Sequence, residues 1–184
     1  AQCNLCASGT YQDHTAATAC EACDPGDFCP EGASLKLAPT CLPGTFANAT
    51  EIDGEPECFD CPLGHFCAGG GRPPARCSPG SFANATGMDA CSPCAPGTRQ
   101  PAPNATACLA CELGSFCTEG ASAPLPCPAG THAATTDVGR ADDCTDCTAG
   151  SFCPLGSATP QSCAAGSYAA SAKSGRCEAC DSGS

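Results

Sequence analysis

A series of Cys-x-x-Gly tetrads runs the length of the chain, with glycines at Gly9, Gly26, Gly44, Gly64, Gly80, Gly97, Gly114, Gly130, Gly150, Gly166 and Gly183. In eight of its ten complete copies an aromatic follows two residues after the glycine: Tyr11, Phe28, Phe46, Phe66, Phe82, Phe116, Phe152 and Tyr168. Arg99 and His132 take that place in the other two. A spacing held this strictly specifies a tandem array of small units, not one large folded domain.

Such units need something other than a hydrocarbon core. Leu, Ile, Val, Phe and Met together number 19 in 184 residues, and there is no Trp. On that measure alone the chain falls in the disordered range. Its 22 cysteines point the other way, because small units that cannot offset chain entropy by burial are held by covalent loops. The expected fold is therefore a set of small disulfide-rich tandem repeats, with short β-hairpins and turns, almost no helix, and an elongated rod-like form. The expected location is an oxidising one, secreted and extracellular.

With 19 acidic against seven basic residues, the net charge of −12 argues against nucleic acid or an anionic membrane as partner. No apolar run approaches the length of a membrane span. No signal peptide opens the chain, and Cys180-Asp181-Ser182-Gly183-Ser184 reads as the start of another repeat. A stretch of a longer secreted protein is the expectation.

The cysteines fall into short units (Cys3/Cys6 to Cys20/Cys23) and long units carrying two more, such as Cys29 and Cys41 before Cys58/Cys61. The order is short, long, long, twice over. Cys3 maps to Cys91 and Cys29 to Cys117 at 88 residues, and Cys58 to Cys144 and Cys94 to Cys180 at 86. Two super-repeats are thus expected, 1–90 and 91–184, in one continuous array where neighbours contact neighbours. Pro-Gly pairs at Asp24-Pro25-Gly26, Leu42-Pro43-Gly44, Ser78-Pro79-Gly80 and Ala95-Pro96-Gly97 predict type II turns.

Repetition narrows the disulfide connectivity. The simplest closure of each hairpin pairs Cys6–Cys20, Cys41–Cys58, Cys77–Cys91, Cys94–Cys108, Cys127–Cys144 and Cys163–Cys177. The long units then retain Cys23/Cys29, Cys61/Cys67, Cys111/Cys117 and Cys147/Cys153, each a Cys-x5-Cys loop that can also exchange with a flanking Cys-x-x-Cys. Cys3 and Cys180 are left over, and their partners are expected outside this stretch.

Other motifs accompany the disulfide pattern. Cys3/Cys6 with Cys20/Cys23 has zinc-ribbon-like spacing, but the extra single cysteines and scattered His14, His65 and His132 point away from a metal. Asn48-Ala49-Thr50, Asn84-Ala85-Thr86 and Asn104-Ala105-Thr106 are N-glycosylation sequons. The first two share one slot, seven residues after Cys41 and Cys77. Ala38-Pro39, Ser92-Pro93, Ala102-Pro103 and Thr159-Pro160 suit O-linked sugar by composition. Acidic clusters at Glu51, Asp53, Glu55, Glu57 and Asp60, and at Asp137, Asp142, Asp143 and Asp146, occupy equivalent hairpins. They hint at weak calcium sites, with a solvated face as the plainer reading. No Gly-x-Ser-x-Gly, His-Glu-x-x-His or phosphate loop is present, so neither catalysis nor a cofactor is expected.

The string Cys163-Ala164-Ala165-Gly166-Ser167-Tyr168, running to Cys177-Glu178-Ala179-Cys180, resembles ephrin-receptor-like cysteine-rich repeats, relatives of tumour-necrosis-factor-receptor modules. The resemblance covers essentially the whole chain. With the added Gly-x-Phe-Cys element it is similar to large secreted proteins of algae and protists, including mastigoneme shaft proteins. It implies a structural segment of an extracellular glycosylated filament, partnered by copies of itself or by other filament glycoproteins. The alternative it leaves is the ligand-binding ectodomain of a receptor or adhesin.

Overall fold

Nine two-stranded antiparallel hairpins make up the regular structure, in a computed structural model that describes residues 4–23, 27–37, 41–47 and 58–181. Their strands are two or three residues long, and among the described residues the single helical element is the 3₁₀ turn Ala141–Asp143. Cys, Gly and Pro interrupt every stretch before a helix can nucleate. The predicted architecture of small disulfide-rich repeats is the one observed.

Each hairpin begins with the tetrad turn. In Leu42-Pro43-Gly44-Thr45 the Thr45 N–H donates to the Leu42 carbonyl at 3.0 Å, and Gly44 has φ of 90°. This is the arrangement a Pro-Gly type II turn requires. The residue after the glycine closes the turn twice. Its hydroxyl donates to the same carbonyl in Thr45→Leu42 (2.8 Å), Ser81→Ser78 (2.8 Å) and Thr98→Ala95 (2.6 Å). That double bond explains why Thr or Ser follows the glycine so often. The turn at Asp24-Pro25-Gly26 lies outside the described residues.

The strand after the turn carries the motif aromatic or its substitute. In three hairpins, such as His65–Phe66 with Ala75–Arg76, it pairs with residues just before a cysteine. In the other six it pairs with residues at or just beyond the cysteine bonded to the opening one, as in Thr10–Tyr11 with Glu21–Ala22 and Ser167–Tyr168 with Glu178–Ala179. The glycine carbonyl then takes the N–H of the second cysteine of Cys-x-x-Cys. Examples are Cys23 to Gly9 at 3.0 Å and Cys111 to Gly97 at 2.9 Å.

The chain divides into two compact units, Ala1–Cys77 with Ala83–Cys91, and Ser78–Phe82 with Ser92–Ser184. Within each, backbone bonds stitch module to module. In the first, Gly9, Gly44 and Gly64 N–H groups donate to the carbonyls of Cys29, Cys67 and Ala83 at 2.8–3.0 Å. In the second, Gly80, Gly97, Gly114, Gly130 and Gly150 donate to Gln100, Cys117, Ala133, Cys153 and Ala169 at 2.8–2.9 Å. A second glycine series answers them. Gly32, Gly70, Gly120 and Gly156 donate back to the carbonyls of Cys6, Cys41, Cys94 and Cys127 at 2.8–2.9 Å. These glycines also close a Cys-x-x-Gly, counted from the last cysteine of each Cys-x5-Cys loop, but with no aromatic after them.

The interior is inverted relative to an ordinary domain. Among the described residues, thirteen of the eighteen buried apolar side chains are cysteines, while all nine leucines are exposed. Cysteine sulfur thus takes the place that branched aliphatic side chains fill in an ordinary core. In the second unit Cys127, Ala133, Val138 and Cys144 form a buried cluster, with Phe116 packed against it.

The four hairpins closed across 14 residues place the tenth residue after the first cysteine in the left-handed region: Ala16 (φ 64°), Gly87 (76°), Asn104 (58°) and Lys173 (64°). Ala is ill suited to that conformation. Ala16→Gly should raise stability by about 1 kcal/mol, read as a higher thermal midpoint for the oxidised chain. An unchanged or lower midpoint would show that Ala16 bears no such strain.

Candidate functional site

The repeated hairpin is the unit from which any site must be built, and its first seven positions have fixed roles. The fifth residue after the opening cysteine is the motif aromatic or its substitute, and the sixth is turned inward. Ala83, Gln100, Ala133 and Ala169 are buried, and each carbonyl receives the preceding module's glycine N–H. The seventh points out, and Asp13, Asn84, Pro101, Ala134 and Ala170 are all exposed.

In the short units the sixth residue is Gln. Gln100 donates through Nε2 to the Ala107 carbonyl and accepts the Ala102 N–H at 3.0 Å. Gln12 makes the matching pair with Ala19 and His14. These two residues, 88 apart and confined to the short units, clamp the loop across its base. No motif expected from the sequence includes them, though the super-repeat spacing marks them.

Among the described residues ten disulfides join Cys6–Cys20, Cys23–Cys29, Cys41–Cys58, Cys61–Cys67, Cys77–Cys91, Cys94–Cys108, Cys111–Cys117, Cys127–Cys144, Cys147–Cys153 and Cys163–Cys177. Their Cα separations run from 5.6 to 6.3 Å, within the normal range. Cys180 is free and exposed, and Cys3 lies outside the described residues. The zinc-ribbon-like set is thereby divided, since Cys6 bonds Cys20 and Cys23 bonds Cys29. The two residues that replace the motif aromatic make different contacts. Arg99 bonds Glu112 at 2.7 Å. His132 lies against the Cys147–Cys153 bond, with Nδ1 3.9 Å from the Cys147 sulfur. The three potential ligand atoms cluster within 4.8 Å, but the two sulfurs are spent on each other.

Of the acidic residues, Asp142, Asp143 and Asp146 line an open groove of about 510 Å³ with Thr131 and Lys173. The Lys173 ammonium lies 3.3 Å from the Asp146 carboxylate. Asp137 is not part of that lining. A hydrogen bond from the Thr135 side chain, aided by its own backbone, holds the Asp137 carboxyl below the usual carboxylate range. Glu51, Asp53, Glu55 and Glu57 lie outside the described residues, and Asp60 ends the strand Cys58–Asp60. The groove therefore gathers three of the four acids expected in the second cluster and places a lysine among them.

Asn84 and Thr86 are exposed at the tip of their hairpin, whereas Asn104 is half-buried. Asn48 is outside the described residues. Among the described residues no helix is long and apolar enough to cross a membrane. No protein-family model matches the sequence, and no curated protein matches it. The chain is a cysteine-rich array of tandem modules whose ten disulfides fit an oxidising, extracellular environment.

Proposed function

We propose that the chain is a non-catalytic structural segment of an extracellular glycosylated filament or rod, of the kind the resemblance to ephrin-receptor-like repeats and mastigoneme shaft proteins implies. The observation that carries this reading is the reciprocal stitching between modules. Gly97 donates to Cys117, while Gly120 donates back to Cys94, so each module completes its neighbour through main-chain groups. Such an interface asks of each module little more than its glycines, and it extends by duplication. Covalent closure of six hairpins, with a disulfide loop at the start of the others, adds stiffness and resistance to proteases. The exposed leucines and the acidic surface supply lateral contact and solubility, and copies of the same array or other filament glycoproteins are the partners that fit.

Two measurements test the reading. Small-angle scattering from the secreted, oxidised chain should give a maximum dimension on the order of 100–200 Å. Antibodies raised against it should decorate extracellular filaments on the cells that make it. A compact particle with label confined to the plasma membrane would instead favour the ectodomain of a receptor or adhesin.

A further inference from the structure

We infer that the hairpin's geometry separates the two described sequons: Asn84 is an N-glycan acceptor, whereas Asn104 serves as a left-handed turn residue and stays unmodified. The inference rests on the extracellular reading above and goes beyond it by assigning the site.

The hairpins 77–91 and 94–108 are closed by disulfides of the same separation, 14 residues, so their loop positions correspond by count. Asn84 is the seventh residue of its hairpin, directly after Ala83, which is fully buried. Alternation along the extended segment therefore turns Asn84 outward. Asn84, Ala85 and Thr86 are all exposed, which presents both the amide and the hydroxyl two residues on. Asn104 is the tenth residue, where the chain needs positive φ. Its φ is 58°, and its Oδ1 is buried with no hydrogen-bond partner among the described residues. The equivalent Ala16, Gly87 and Lys173 are exposed, so Asn104 alone at this position is turned inward. Asn is among the few non-glycine residues that adopt this conformation readily.

The modification is a glycosyl transfer from a lipid-pyrophosphate-linked oligosaccharide. Nδ2 of Asn84 bonds the anomeric carbon and loses one proton to a base. The carbon–oxygen bond to the pyrophosphate breaks, and the lipid pyrophosphate leaves with the electron pair.

The full 184-residue chain, secreted from a eukaryotic host, is enzymatically deglycosylated in oxygen-18 water and mapped by mass spectrometry. Asn84 should carry the heavy tag and Asn104 should not. Thr86→Ala should abolish the Asn84 tag while leaving the thermal midpoint unchanged. Asn104→Gly and Asn104→Val both destroy the second sequon, yet Gly should preserve the midpoint and Val should lower it by about 4–8 °C. An untagged Asn84 in chain secreted with its disulfides intact overturns the inference, as does a tagged Asn104 or equal midpoints for the Gly and Val variants. Chain recovered with its cysteines as free thiols overturns the extracellular reading itself, and the inference with it.

Discussion

Complete reduction and alkylation of the oxidised chain should abolish its fold, with every hairpin amide becoming fully exchangeable. The size of the effect follows from what the interior contains. Its largest fully buried side chains are all cysteines, so removing the bonds removes the core itself. Each closed loop restricts the unfolded chain by about 2–4 kcal/mol. Even a few such bonds match the roughly 5–15 kcal/mol by which whole domains are stable. Accessibility should order the loss. Cys6–Cys20 and Cys41–Cys58 each have an exposed member, Cys20 and Cys58. Both cysteines of Cys61–Cys67, Cys111–Cys117 and Cys147–Cys153 are sealed, at 0–3 % exposure. Partial reduction by a phosphine at acid pH, followed by alkylation and peptide mapping, should find the first two opened before the last three. A reduced, alkylated chain that kept its amide protection would contradict the sulfur-core account.

Much of this was readable from residues because the tetrad carries its own geometry. Pro43-Gly44 dictates the turn, Thr45 locks it, and repetition leaves few consistent ways to close Cys41 onto a partner. The leucines were not readable. Hydropathy places Leu42 and Leu63 inside, yet both sit on tetrad turns and are 73 % and 51 % exposed. The second glycine series was hidden for a different reason. Cys29-Pro30-Glu31-Gly32 is a tetrad like the others except for the missing aromatic, but Gly32 donates backwards to the Cys6 carbonyl where Gly9 donates forwards to Cys29, and no local pattern reports the direction of a long-range bond. The same limit applies to the sites. Asp142, Asp143 and Asp146 share a groove, while Asp137, ahead of the 3₁₀ turn Ala141–Asp143, does not line it. Asn84 and Asn104 carry identical triplets, and only their phase within the hairpin separates them.

That stitching predicts a graded response to one substitution at two tetrad glycines. Gly114 and Gly150 both have positive φ, 76° and 83°, and both donate to a carbonyl in the next module, Ala133 and Ala169 respectively, at 2.9 Å. They differ in what stands beside the α-carbon. A Cβ on Gly114 would run into the Gly156 carbonyl oxygen, whereas one on Gly150 would meet nothing within 4 Å. Gly150→Ala should therefore cost only the left-handed backbone penalty, about 1–2 kcal/mol. Gly114→Ala should lose that and the contact between modules as well, since the obstruction is main chain and cannot swing aside. It should fold in low yield with scrambled disulfides, or expose Cys111–Cys117 and Cys127–Cys144 to reductant ahead of the other bonds. Non-reducing peptide maps and denaturant titrations of both variants would measure the difference. Equal losses at Gly114 and Gly150 would mean that adjacent modules yield at their contact, and the main-chain stitching would then be too compliant to stiffen a filament.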